Sequence, residues 1–128
     1  MKVAALVCRI LLGLVFVVFG FNKLYEFIPA QMPPGDAGTL SILLVNHHWM
    51  ALVGIFETTG GLLLLIGRFV PLGLAFLAPV CVNILAFSIL FAPAGIVPGI
   101  VVSILEIFLI FAYRSYFAGL FTAKASVS

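Results

Sequence analysis

Charge is scarce in this sequence. Its 128 residues include six Lys or Arg and four Asp or Glu, 8% in all, against 65% hydrophobic residues. Soluble domains carry about 25% charged residues, so this chain cannot clothe a water-facing surface, and a soluble globular enzyme is excluded. The apolar excess excludes intrinsic disorder as well. A formal charge of +2 with no basic cluster excludes nucleic-acid binding. Cysteine is nearly absent too. Cys8 and Cys81 form no Cys-x-x-Cys pair, so thiol–disulfide electron transfer lacks its paired thiols, and both read as small buried hydrophobes. The two histidines, His47 and His48, are adjacent and would point about 100° apart on a helix. A haem held between helices would need histidines on two spans, so haem and metal are disfavoured, and headgroup contact is the plainer role for this pair.

What is present is hydrophobic length. A helix crosses the hydrocarbon with about 20 mostly apolar residues, and four stretches qualify: 3–21, 49–67, 69–91 and 96–113. Tight breaks at Gly67-Arg68 and at residues 92–95 predict antiparallel hairpins. The fold class is therefore all-α: one integral membrane domain, a four-helix bundle spanning 1–128. The long first connection, 22–48, holds Pro29, Pro33, Pro34 and Gly35, then an apolar run at 40–45 too short to span. That run is expected at the membrane interface or over the bundle mouth. A cleavable signal peptide is the other reading of the first segment. It is opposed by Arg9 inside the apolar run and by Gly20-Phe21-Asn22-Lys23, which offers no small-x-small site. Lys2, Arg9, Arg68, Arg114 and Lys124 fall on one side, while Lys23, Glu26 and Asp36 fall on the other. The positive-inside rule then puts both termini in the cytoplasm and the protein in the inner (cytoplasmic) membrane. Trp49, Tyr25 and Tyr116 suit the interfaces.

Charges within spans carry the functional information. A central charge costs about 2.5–3.5 kcal/mol on insertion scales, and each Leu, Ile, Phe or Val returns about 0.3–0.6. The second span has nine such residues to offset Glu57 and the fourth has twelve to offset Glu106. Neither acid helps insertion, so both mark a function or a buried pair. Gly54, Gly60 and Gly61 flank Glu57 on one stripe, which lets another helix approach and turns the acid toward protein. Gly99, Ser103, Glu106 and Tyr113 share a stripe, as do Arg9, Gly13, Phe16, Gly20 and Lys23. Three polar stripes converge on the bundle centre.

Both acids sit near the midplane. Arg9 enters only about 9 Å from the cytoplasmic end by the helical rise, where it either snorkels or reaches a carboxylate. An acid left without a partner would be carried neutral, since an unpaired buried charge is costly. Asn83 follows Pro79 by one turn; the proline releases the Ala75 carbonyl and predicts a kink. Arg9, Glu57, Asn83 and Glu106 form the candidate intramembrane polar site, with Phe16, Lys23, Phe76, Phe87, Ser103 and Tyr113 as lining. Two readings stand: an internal hydrogen-bonded lock that sets helix register, or a site for an amphiphile or a proton.

Several runs resemble a known family. They are Arg9-Ile-Leu-Leu12-Gly13 through Phe16 and Gly20 to Lys23, then Glu57-Thr-Thr-Gly60-Gly61 to Arg68. Pro79 through Asn83 to Phe87 and Leu105-Glu106 through Arg114 complete the set. In this order they resemble the DoxX family of small four-helix bacterial membrane proteins. The resemblance implies redox company, because relatives include membrane subunits of quinone-linked sulfur oxidation and partners of oxidative-stress enzymes. Its polar positions fall on Arg9, Lys23, Glu57, Asn83 and Glu106. One departure is Ser88, where many relatives carry His, so a proton role at that position does not transfer.

The leading expectation is a quinone- or lipid-binding membrane subunit of an oxidoreductase system, an accessory subunit rather than a self-sufficient enzyme. Glu57 and Glu106 would meet a quinone head, Arg9 would stabilise its anion, and Phe16, Phe76 and Phe87 would contact ring or tail. Quinone is the one cofactor in view; no motif for flavin, haem or iron–sulfur occurs, so electrons would come from a soluble or membrane redox partner. The bilayer and a second copy of the chain are the other partners in view. A rival reading is a non-catalytic scaffold docking through 22–48. A transporter or proton carrier ranks last, because no inverted repeat or discontinuous helix pair is visible.

Overall fold

The computed structural model describes residues 2–25 and 34–127. Glu26, Pro29 and Pro33 of the first connection, with the charge and turn expectations placed on them, lie outside the described residues. Five α-helices and no strand occur among the described residues: α1 Lys2–Leu24, α2 Gly35–Asn46, α3 Trp49–Ile66, α4 Val70–Leu90 and α5 Ile96–Ala112. A 3₁₀ turn, Pro93–Gly95, leads into α5. α1, α3 and α4, with α5 and its leading turn, are long and apolar enough to cross a membrane. They fall on the four stretches expected from hydrophobic length, with ends shifted by up to three residues.

Local chemistry explains the breaks. At Gly67 the chain takes φ +72° and donates its N–H to the Leu63 carbonyl 3.1 Å away, a left-handed cap that glycine adopts without penalty. A side chain there would also run into the Arg9 guanidinium. Pro71 in the first turn of α4 costs no hydrogen bond. The apolar run 40–45 belongs to α2, a 12-residue helix with Asp36 in its first turn, favourable to the helix dipole. α2 packs against α3. His47 and His48 form the exposed turn between them.

The long helices pack α1 on α3, α3 on α4, α4 on α5 and α5 on α1. Leu12, Phe16, Leu64, Leu74, Leu77 and Leu109 are almost wholly buried at the centre. The outside is the inverse of a soluble protein. Glu106 is 3% exposed whereas its neighbour Ile107 is 66% exposed. Buried acids beneath an apolar exterior are what a lipid solvent selects.

Helix association in lipid rests on close packing rather than on water exclusion, and the α1–α3 seam supplies it through glycine. A Cβ on Gly61 would lie 2.8 Å from the Gly13 carbonyl oxygen and 2.9 Å from the Val17 nitrogen. One on Gly20 would lie 2.7 Å from the Thr58 nitrogen, and one on Gly54 2.7 Å from the Gly20 oxygen. Backbone cannot yield as a flexible side chain can. Gly61→Ala should therefore cost about 1–3 kcal/mol, while Gly95→Ala, whose Cβ meets nothing within 4 Å, should stay within about 0.5 kcal/mol. Equilibrium unfolding in lipid micelles checks both, and equal effects would refute the seam.

Candidate polar site between the helices

The glycine seam decides which charges meet. Gly54, one turn before Glu57, leaves room for the Lys23 stem; a Cβ there would sit 2.9 Å from Lys23 Cβ. Lys23 Nζ consequently reaches both oxygens of Glu57, at 2.8 Å and 3.0 Å. The Glu57 side chain is 2% exposed and the lysine 23%. This is the one ion pair among the described residues. A buried carboxylate held by an ammonium at two short distances is a firm crosslink between α1 and α3.

Arg9 was expected to snorkel or to reach a carboxylate. It meets no carboxylate among the described residues: its Nη1 donates to the Leu64 carbonyl at 3.0 Å. That oxygen belongs to the last turn of α3, where carbonyls lack intrahelical donors and a cation suits the dipole. Lys23, which stands on the polar stripe of α1 and among the family's polar positions but was placed in the lining of the candidate site, takes the carboxylate-binding role expected of Arg9. The reason is register, because the seam sets Gly20 beside Glu57 and Thr58, and Gly13 beside Gly61.

Glu106 is buried on α5 with neither carboxyl oxygen hydrogen-bonded among the described residues. Ser103, one turn earlier, is buried with its hydroxyl equally unpartnered. Cys81 on α4 is a buried free thiol, and Cys8 on α1 is half-buried. Ser88 is buried, its oxygen near the point where a Cβ on Gly99 of α5 would stand.

Asn83 departs from the expected convergence. It is exposed, on the opposite side of α4 from Ser88, and it lines a groove between α3 and α4 of about 330 Å³. Trp49, Phe56, Phe76 and Pro79 share that groove, and Phe76 meets Phe56 edge-on at 5.7 Å. Neither acid and no cation lines it. A smaller cleft of about 180 Å³ lies between α1 and α5, with Phe16, Phe19, Lys23 and Glu57 among its walls. Phe87 lines neither opening and stacks on Phe91 at 5.5 Å. Tyr113 borders a third cleft, near Arg9. The expected single site is thus divided: a Lys23–Glu57 pair, a solitary Glu106, and an aromatic groove bearing Asn83.

Sequence reasoning read Trp49 only as an interfacial anchor and passed over Phe56. Their signal was available, since Trp49, Val53 and Phe56 recur at helical spacing, as do Phe76, Val80 and Asn83. No group of three His, Cys, Asp or Glu that could hold a metal occurs among the described residues.

With four apolar helices and these polar positions in hand, comparison with known proteins is decisive at the family level. The family model DoxX matches residues 4–89, two thirds of the chain. The chain belongs to the DoxX family. This DoxX protein is a multi-pass membrane protein by its family and its four apolar helices. No curated protein and no solved structure matches it.

The two acids make opposite predictions. Glu57→Gln should destabilise toward the lower end of the about 3–5 kcal/mol expected on breaking a buried pair, because Lys23 keeps some exposure. Lys23→Met with Glu57→Leu should recover most of that loss. Thermal unfolding of both variants checks this, and a double variant no better than the single would overturn it. Glu106→Leu should instead raise stability by about 1–3 kcal/mol, by deleting an unsatisfied buried carboxyl. A fall in melting temperature there would reveal a partner for Glu106.

Proposed function

We propose that this DoxX protein binds the ring of a quinone in the groove between α3 and α4, as an accessory membrane subunit of a redox system. The observation that carries the reading is the Asn83 side chain, exposed at membrane depth in an aromatic-lined groove with no hydrogen-bond partner among the described residues. A polar amide facing lipid is costly unless something accepts its hydrogen bonds. A quinone carbonyl is such an acceptor, and Phe56 and Phe76 offer faces and edges to the ring. The volume falls within the about 300–1,000 Å³ usual for small-molecule sites. An isoprenoid tail would continue along the apolar faces of α3 and α4.

Glu57 and Glu106 do not border this groove, so on this reading they do not exchange protons with the ring directly. The α1–α5 cleft is the second seat, favoured by the Lys23–Glu57 pair in its wall. At about 180 Å³ it exceeds the about 150 Å³ apolar cavity that admits benzene, and there the acid would touch a bound head. Electrons would pass to or from a partner protein, since the sequence carries no motif for a redox centre of its own.

Topology belongs to the same reading. The pairings Arg9 with Leu64, Gly13 with Gly61 and Lys23 with Glu57 support antiparallel α1 and α3. Lys2, Arg9, Arg68, Arg114 and Lys124 support cytoplasmic termini in the inner membrane.

Mass spectrometry of lipids extracted from the purified protein tests the proposal. Quinone should copurify with the wild type, and Asn83→Leu should lower its occupancy about fivefold, the worth of one hydrogen bond, without changing the melting temperature. Occupancy lost in Glu57→Gln but kept in Asn83→Leu would move the site to the α1–α5 cleft. Absence of quinone from the wild type would reject both seats.

A further inference from the structure

Among the described residues, one end of the molecule carries cations with no carboxylate to meet them. Among the described residues, Lys23–Glu57 is the one ion pair, and Lys2, Arg9, Arg68 and Arg114 lie at or near helix ends remote from it. Arg68 is exposed in the turn between α3 and α4. Arg114 is turned outward, donating to the Phe111 carbonyl at 2.9 Å with its guanidinium 4.4 Å from the Phe111 ring centre. Lys2 and Arg9 behave differently. They are the two cations bordering a cleft of about 560 Å³ between the start of α1 and the end of α5, whose other walls are Ala5, Leu6, Ala112 and Tyr113.

The chemistry of these walls is graded. Arg9 is held in place by the one hydrogen bond from Nη1 to the Leu64 carbonyl, which leaves the rest of its fork of donors free of any described partner. Lys2 adds a second positive charge and Tyr113 a phenol, while Ala5, Leu6 and Ala112 make the remaining surface apolar. An anchored guanidinium, an ammonium and a hydroxyl converge above an apolar wall in a protein whose exterior is lipid-facing. That combination recognises an anion joined to a hydrocarbon chain. Basic pockets between membrane helices on the cytoplasmic side characteristically take anionic lipid headgroups.

We propose that this cleft is a binding site for one anionic glycerophospholipid, its phosphate held by Arg9 and Lys2, its headgroup near Tyr113, and its acyl chains lying along α1 and α5. The site is separate from the α3–α4 groove, so it stands or falls independently of quinone binding. Binding also ties α1 to α5 at the end where the cleft parts them.

Native mass spectrometry of the whole protein in mixed micelles of phosphatidylglycerol and phosphatidylcholine tests this. The wild type should retain one phosphatidylglycerol in preference to phosphatidylcholine. Lys2→Gln should reduce that retention about fivefold, the value of one lysine or arginine near an anionic surface, and Lys2→Gln with Arg9→Gln should abolish the preference. Because Arg9 also caps α3, Arg9→Lys serves as the folded control and should keep it. Phosphatidylglycerol should raise the melting temperature of the wild type, and inorganic phosphate at equal concentration should not. Equal retention of the two lipids, retention unchanged in Lys2→Gln and in the double variant, or an equal shift with inorganic phosphate would each overturn the proposal.

Discussion

Because glycine stands at 13, 20, 54 and 61, α1 and α3 meet backbone to backbone, and every polar contact between them depends on that approach. Ordinary helix pairs stand about 8–10 Å apart, which leaves a lysine stem competing for space with the side chains of the facing helix. Here Gly54 removes the obstacle and Lys23 passes over it to Glu57. The same closeness lets Arg9 reach a main-chain oxygen in the last turn of α3. The seam thus has a carboxylate–ammonium bond toward one end, a guanidinium–carbonyl bond at the other and glycine contacts between. In a solvent that does not drive apolar surfaces together, such contacts and short polar bonds are what remains to specify a register.

The spans and their breaks were legible in the sequence because they rest on local quantities: hydrophobic length, a left-handed glycine at 67 and prolines at helix starts. The inward turn of Glu57 was legible for a related reason, since the glycines on its stripe leave nothing else for that face to do. The identity of its partner was not. Depth along a helix is readable from one helix alone, but pairing depends on the register between two. Arg9 and Lys23 share a face of α1, so only the seam decides between them. Gly60 illustrates the same limit. It lies on the Glu57 stripe yet packs against Leu77 of α4 rather than against α1. Asn83 was misplaced because α4 is apolar all round apart from Asn83 and Ser88. No stripe marks its inner face, and five residues at about 100° each set the two polar positions on different sides.

Glu57 and Glu106 show how little an acid's depth says about its state. Both are buried near the middle of apolar helices. One is paired through a glycine-made opening, while the other has as its nearest polar companion on α5 only Ser103, which is equally unsatisfied. The twelve apolar residues around Glu106 make its insertion tolerable, yet they contribute nothing that would make the carboxyl useful to the fold. Glu106 is thus a buried group that the packing neither needs nor satisfies.

The four seams are not equivalent, and that asymmetry bears on where ligands enter. α1 is gripped by α3 through backbone contacts, and α4 meets α3 through Gly60 and Gly73 and α5 through Gly99. Among the described residues no glycine contact of this kind joins α1 to α5. Instead two clefts open along that seam, one between Phe16, Lys23 and Pro98 and the other between Lys2, Arg9 and Tyr113. Closing a ring of four helices leaves the first and last to meet without a connecting turn, so their contact is set by side chains alone. Large side chains keep the two helices apart, and clefts remain between them. The seam with the fewest constraints of its own is therefore where the proposed anionic lipid would contribute most, apart from the α3–α4 groove proposed for the quinone ring, and it carries a cation toward either end, Lys23 and Arg9.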